Sequence, residues 1–262
     1  ERPGRLGGRP AGRLAVHPAA DVMIAAAAGV IGLVEPLDTL SEQFPDGDAD
    51  LQARIVELQG EFGGWRRGEV DGNCFYRAFG FAHVESVLRK KPKNLRRFLE
   101  AVQRSAAQEA EGLLELGQSL LQLEPAAALE RWHRAMLSDP EIDRQLVRAM
   151  RLISADFLVA NQDTDFDGMP LKVFVESSHG MDVDTFRIQE ILVDGREAEA
   201  LALMLGPMAL EVKLEIVILD GSGAQMQRYC VPDVEGVRPT AALLSRPGRY
   251  DVLYGRKVAS EL

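Results

Sequence analysis

VDGNCFYRAFGFAHVESVL, residues 70–88, is the stretch whose reading decides the fold. Asp71, Gly72 and Asn73 form a turn that delivers Cys74 to the start of a helix. Phe75, Phe79 and Ala82 recur at spacings of four and three, with Phe81, Val84 and Leu88 alongside, which predicts a buried helix from Cys74 to about Arg89. Helix N-terminal amides and the macrodipole favour negative charge, so a thiol placed there is biased toward thiolate. The amides of the turn can cradle an oxyanion. This is the geometry of a nucleophile elbow; the competing reading makes Cys74 a small buried hydrophobe in a capping turn.

Working outward, DADLQARIVELQGEF (48–62) places Leu51, Ile55, Leu58 and Phe62 at helical spacing, with Gly63 and Gly64 as the stop. Between Pro92 and Gln162 three helices are expected, punctuated at Pro125 and at Ser138-Asp139-Pro140, where Asp can cap and Pro can occupy the first turn. DTDFDGMP (163–170) resembles the opening of a calcium loop, with Gly168 at the sixth position, but Phe174 stands where a closing Glu is needed, so a solvated loop is expected. Residues 182–192 and 196–205 read as helical. The period then changes to that of strands. LEIVIL (214–219), MQRYCV (226–231), AALLS and RYDVLY read as four strands, with GSG (221–223) and Pro247-Gly248 as turns. A helix-rich first two thirds followed by clustered strands gives an α+β architecture.

The 262 residues are 46% hydrophobic, enough for one sizeable core. The formal net charge of −10 argues against binding a phosphate backbone, so no nucleic acid is expected. Four arginines against Glu1 give the first twenty residues +3, leaving −13 for the remainder. The apolar run Val22–Val34 is too short to span a bilayer. Residues 1–34 are expected to be a flexible Arg/Gly/Pro-rich segment, either a targeting signal or a sequence foreign to the fold, and 257–262 a tail. Two cysteines are too few for a disulfide framework and suit a reducing compartment, cytoplasmic or nuclear, with organelle targeting by the N-terminal segment as the alternative. Cys230 has no acid or base beside it and is expected to be a buried structural thiol. No metal or cofactor is expected.

DGNCFYRAFGF resembles the nucleophile motif of the ovarian-tumour (OTU) cysteine deubiquitinases, specifically the otubain branch. At the other end, RPGRYDVLY (246–254) is similar to the otubain closing strand, which reads Arg-Pro-Gly-His-Tyr-Asp-hydrophobic-Leu-Tyr and supplies the catalytic His and its orienting Asp. Weaker likenesses lie at Arg151-Leu152, EAEALALML and LEIVILDGSG. The resemblance covers about residues 35–256 and implies a papain-like OTU fold, a small mixed or antiparallel sheet flanked by helices. It also implies a helical arm, about 91–160, that grips ubiquitin. Cys74 matches the nucleophile, Asp251 the orienting acid, and Asp71, Gly72 and the amide of Cys74 the oxyanion loop.

The departure is Arg249, which stands where the family has its His. Arginine stays protonated at any working pH and can neither take the thiol proton nor return one to a leaving amine. Members of a catalytic unit are strongly non-additive, so the loss of one resembles the loss of all. His17, His83, His133 and His179 are the only other imidazoles. His83 is about 13 Å along the helix from Cys74, so it is expected to be structural, while His179 lies in a loop-like stretch and stays open. On an extended strand Arg249 and Asp251 face one way, and a charge pair between them is expected; a guanidinium there can also lower the thiol pKa. The implied function is a ubiquitin-binding pseudo-deubiquitinase whose partner is ubiquitin or polyubiquitin. The alternatives are an active isopeptidase with another base and a non-catalytic scaffold on a ubiquitin-conjugating enzyme.

Overall fold

The computed structural model describes residues 31–44, 49–90, 94–220 and 226–262. Segment 1–30, with His17, and the GSG turn lie outside the described residues. The chain builds one mixed six-stranded sheet in the order β1-β2-β8-β7-β5-β6. The strands are β1 (Ile31–Pro36), β2 (Phe62–Gly68), β5 (Leu214–Ile218), β6 (Gln227–Val231), β7 (Ala241–Arg246) and β8 (Arg249–Gly255). All pairings are antiparallel except β5 with β7. The α+β reading and the papain-like sheet-and-helix arrangement hold.

At the centre lies α2 (Cys74–Lys90), buried from Cys74 to Leu88. One face packs on the sheet, where Phe75 meets Tyr250 edge-on at 5.4 Å. The other meets α6 (Pro140–Ala160), and Gly80 permits that approach, since a Cβ there would come within 2.9 Å of Met150. Each fully buried Phe on this helix is worth about 1.5–3 kcal/mol relative to exposure, and Phe75, Phe79 and Phe81 are all buried. The helix is buried around its whole circumference because it is enclosed, and Arg77, His83, Glu85 and Ser86 are buried along with its apolar residues.

Before the sheet's last four strands come α1 (Ala49–Glu61), then α3 (Leu95–Ala106), α4 (Glu111–Leu120), α5 (Pro125–Ser138) and α6. The expectation of three helices between 92 and 162 is corrected to four; α3 and α4 part at the turn around Ala107–Ala110, which contains neither Pro nor Gly. The Ser138-Asp139-Pro140 stop is as expected: the Asp139 carboxylate accepts from the amides of Glu141 and Ile142, and Pro140 opens α6. The DTDFDGMP loop forms a small hairpin, β3 (Asp165–Phe166) with β4 (Met169–Pro170), and Lys172 pairs with Asp163. Then follow α7 (Leu171–His179), α8 (Val183–Phe186) running into a π-helical turn at Arg187–Ile191, α9 (Leu201–Ala209) and, at the end, α10 (Arg256–Ala259).

Four boundaries differ from expectation. The sheet begins at Ile31, which is 1% exposed and pairs with Gly68, so residues 31–34 belong to the fold rather than to a flexible segment. β2, FGGWRRG, follows α1 directly, and the strands are not confined to the last third. Residues 257–262 are not all tail: α10 packs on β2, where a Cβ at Gly63 would lie 3.1 Å from Ala259. Residues 196–200 are a loop, and α9 starts at Leu201 after Ala200 takes the left-handed φ of 45°.

Candidate active site

Cys74 opens α2, with its Sγ 4.0 Å from the carbonyl of Gly248 in the β7–β8 turn. As the first helical residue, its own amide has no intrahelical acceptor. A cleft of 210 Å³ surrounds the thiol. One wall is the loop of Glu197, Ala198 and Glu199; the other is the hairpin bearing Ser245, Arg246, Gly248, Arg249 and Tyr250.

The turn before Cys74 is held by two arginines. Arg77, on the next helical turn, clasps Asp71 through Nη1 (2.9 Å) and Nη2 (2.6 Å), while its Nε donates to Asp143 at 2.8 Å. Burial raises the Asp71 carboxyl, but the Arg77 clasp and the hydrogen bonds from Asn73 outweigh it and hold it below the usual range. Because Asp71 Oδ1 takes the Asn73 amide at 2.9 Å, that amide is spoken for, whereas the expected oxyanion donors are its neighbours. Arg151, from α6, donates to Asn73 Oδ1 through Nε and Nη2 and to the carbonyls of Ile191 and Arg196, and stacks 4.3 Å from the Tyr76 ring centre. Asn73 Oδ1 also accepts from the Gly195 amide at 3.1 Å, tying the wall loop to the turn before Cys74. Gly72 sits at φ 74°, and a Cβ there would be 1.9 Å from the Gly195 carbonyl oxygen. Only glycine fits.

The thiol is not primed toward thiolate. Burial is the largest influence and pushes the Cys74 pKa up; the Tyr250 amide opposes it, the charges of Asp71 and Glu197 add to it, and Arg77 offsets part. The net direction is above the ordinary thiol value, which corrects the expectation from the helix terminus and from a neighbouring guanidinium. Cys74 is 2% exposed, and burial is what most disfavours its charged form.

Arg249 and Asp251 share one face of β8, as the period of two requires, yet they do not pair. Arg246, directly opposite Arg249 across the hairpin, takes the acid: its Nε donates to Asp251 Oδ2 at 2.7 Å, and the Gly68 amide donates to Oδ1 at 3.0 Å. Arg246 also donates to Gln43 Oε1 at 2.9 Å and lies 5.1 Å from the Trp65 ring centre. Asp251 is fully buried beneath this arginine and does not line the cleft, while half-buried Arg249 does. Arg249 forms no ion pair among the described residues. The facing strand β7 supplies, in Arg246, a better-placed competitor for the acid.

No imidazole lines the cleft among the described residues. His83 is buried against Phe79 and Phe98. His133 Nε2 lies 2.6 Å from Glu85 Oε1, and His179 packs at 4.6 Å on the Phe186 ring at the end of α7. Cys230 is half-buried on the edge strand β6 rather than fully buried, because β6 has only one neighbouring strand. Sequence reasoning gave Arg246, Arg151, Asn73 and Glu197 no role, although Arg246 is the first residue of the RPGRYDVLY motif and Arg151 belongs to a noted Arg-Leu pair.

A family model described as Peptidase C65 Otubain matches residues 24–255. The chain is 29% identical to Homo sapiens ubiquitin thioesterase OTUB1, over 83% of this chain and 80% of that protein. It is 25% identical to a Caenorhabditis elegans ubiquitin thioesterase described as otubain-like, over 86% and 81%. A solved complex described as h/ceOTUB1–ubiquitin aldehyde–UBC13~Ub superposes with a TM-score of 0.71 at 23% identity, over 87% of this chain and 91% of the other. The corresponding complex with UBCH5B~Ub gives 0.69 at 22%, with the same coverage.

Proposed function

The chain belongs to the otubain family of cysteine peptidases, and from that premise we propose that it is a ubiquitin-binding pseudo-deubiquitinase, with Cys74 in the nucleophile's position and Arg249 in place of the general base. The observation that carries this reading is the make-up of the cleft: a thiol held protonated by burial, an arginine at its mouth, and no imidazole among its described lining residues. Isopeptide cleavage needs a group that accepts the thiol proton and returns one to the departing amine, a contribution of about 10²- to 10⁴-fold. Glu197 and Glu199 do not fill that role well, since a carboxylate is a poor acceptor for a thiol proton and the charge of Glu197 disfavours the thiolate it would create.

The Asp71–Asn73 turn keeps the form of a nucleophile elbow, tied down by Arg77 and Arg151, so a bound ubiquitin tail has a shaped seat at Cys74. The family's ubiquitin-gripping arm corresponds to α3–α6 in this reading. Solved otubain-like complexes contain both ubiquitin and ubiquitin-conjugating enzymes, which supports ubiquitin as a partner and makes a conjugating enzyme a second one. Two unpaired cysteines fit action in the cytoplasm or nucleus.

The test has two arms. NMR titration with ubiquitin and with ubiquitin chains is expected to show saturable binding. Incubation with the same chains is expected to show no cleavage at the speed of an active otubain. Efficient cleavage overturns the pseudoenzyme reading; absence of binding to ubiquitin overturns the ubiquitin-receptor reading and leaves the scaffold on a conjugating enzyme.

A further inference from the structure

A second groove, of 620 Å³, opens at the far end of α2. Lys90, at its rim, is sixteen residues from Cys74, about 24 Å along the helix, so the groove is separate from the cleft. Its rim carries Lys90, Arg97 and Arg104 of α3, and Arg238 of the loop before β7. Arg97 and Arg104 are seven residues apart and therefore share one face of α3. None of these four exposed cations forms an ion pair or a side-chain hydrogen bond among the described residues. Elsewhere in this acidic chain Arg77, Arg134, Arg144, Arg196 and Arg228 each hold a carboxylate. Among the described residues two acids, Glu100 and Glu211, line the groove, and neither pairs with these cations. The result is a positively charged concavity on a molecule of net charge −10.

The lining of the groove includes His83, which is 5% exposed and whose Nδ1 has no hydrogen-bond partner among the described residues. A buried polar atom without a partner costs about 1–3 kcal/mol, and such an atom calls for a specific explanation. That atom has no appreciable accessible surface, so an anion in the groove acts on the His83 ring through its charge rather than by contact with Nδ1. Ser86, also in the lining, is already committed, its hydroxyl donating to the Thr240 carbonyl at 2.9 Å. The volume falls within the range of small-molecule sites, about 300–1,000 Å³.

We propose that this groove binds a small, multiply phosphorylated anion, with Lys90, Arg97, Arg104 and Arg238 contacting the phosphates and the His83 ring lying in the wall beside them. Charge-assisted hydrogen bonds from arginine to phosphate are the strong ones. The concavity favours a compact anion over a nucleic acid, which the remaining negative charge of the domain repels. The same chemistry is offered by a free metabolite and by a phosphoinositide headgroup.

The probes are sodium tripolyphosphate and inositol hexakisphosphate, titrated calorimetrically into the full chain. Saturable one-to-one binding that weakens with added salt is expected, with a rise in Tm because a ligand of the native state stabilises it. The R97E/R104E double variant is expected to weaken binding at least tenfold while retaining the wild-type circular dichroism spectrum; R238E, on a different element, serves if the double variant misfolds. The imidazole of His83, held down at about 4 by burial, is expected to titrate higher when the anion is bound, as followed by NMR. No saturable binding of either probe, or equal binding by the charge-reversed variants, overturns the proposal, as does an unmoved His83. Vesicles of phosphatidylcholine with phosphatidylinositol 4,5-bisphosphate separate the sources: retention that the soluble probe competes away assigns a lipid headgroup, whereas retention without any soluble binding overturns a discrete pocket.

Discussion

Arg246 and Asp251 form a buried ion pair across the β7–β8 hairpin, Nε to Oδ2 at 2.7 Å, with Arg246 8% and Asp251 0% exposed. Asp251, the orienting acid in the proposed function, is thereby a structural partner of a neighbouring strand. Removing one member of such a pair leaves an uncompensated buried charge. Asp251→Ala is expected to cost about 3–5 kcal/mol in urea unfolding, whereas an apolar replacement of both partners, R246M/D251L, is expected to cost distinctly less. Equal losses in the two variants would show that packing, not charge, is what the pair supplies.

Arg249→His places an imidazole in the lining of the cleft, where the proposed function has the general base lost. The Asp251 carboxylate has about four lone-pair sites, of which Gly68 and Arg246 occupy some, so it can still accept from a histidine two residues away on the same face. Cleavage of ubiquitin chains is expected to rise by about 10²-fold or more over the wild-type chain, and to vanish in C74A/R249H. A variant that folds, binds ubiquitin and still does not cleave would place the defect elsewhere in the site, most directly in the protonated state of Cys74.

The parts of this arrangement that were legible are those with a clean period. α2 announced itself through Phe75, Phe79 and Ala82, and β5 to β8 through short apolar runs between turns. β2 was hidden because Phe62-Gly-Gly-Trp-Arg-Arg-Gly has neither an apolar run nor alternation. It is held by long-range contacts instead: backbone pairing with β1 and β8 on its two sides, burial of Trp65, and Arg66, whose Nε donates to the Tyr254 hydroxyl 188 residues away at 2.9 Å. Residues 196–200 carry strong helix formers, but Asn73 and Arg151 fix Gly195 and Arg196, and tertiary contacts override propensity. At the site, parity put Arg249 and Asp251 on one face. That Arg246 would win the acid depends on strand register, which a single sequence does not display.

Gly72→Ala is expected to be among the most damaging small substitutions in the chain. It puts a side chain at φ 74° and a methyl group 1.9 Å from a backbone oxygen of Gly195. Strain at such a position costs about 1–3 kcal/mol before any clash is counted. Thermal unfolding is expected to drop by several degrees, and ubiquitin affinity to fall with it; an unchanged Tm would mean that the 72–195 contact is easily released.

The rate at which iodoacetamide alkylates Cys74 reports its thiolate fraction. With the pKa raised by burial and by the charges of Asp71 and Glu197, the half-maximal rate is expected at a higher pH than for an ordinary cysteine. Glu197→Gln removes one of those charges without touching the Arg77 clasp, so its profile is expected to move toward lower pH. A shift in the opposite direction, or none, would remove Glu197 from the electrostatics of the cleft.

His83 links pH to stability. Burial depresses its pKa from 6.5 to about 4 in the folded chain, so between those values the unfolded chain binds more protons than the folded one. Stability therefore rises with pH across that window: the contribution is fully present above about 6.5 and is lost as the pH falls toward 4. A depression of that size corresponds to about 3 kcal/mol. His83→Phe keeps an aromatic ring beside Phe79 and Phe98 and removes the titrating group. Urea denaturation at a series of pH values is expected to show a steep decline below 6.5 for the wild-type chain and a flatter profile for the variant. Parallel profiles would mean that the acid sensitivity comes from other groups and that His83 charges without unfolding.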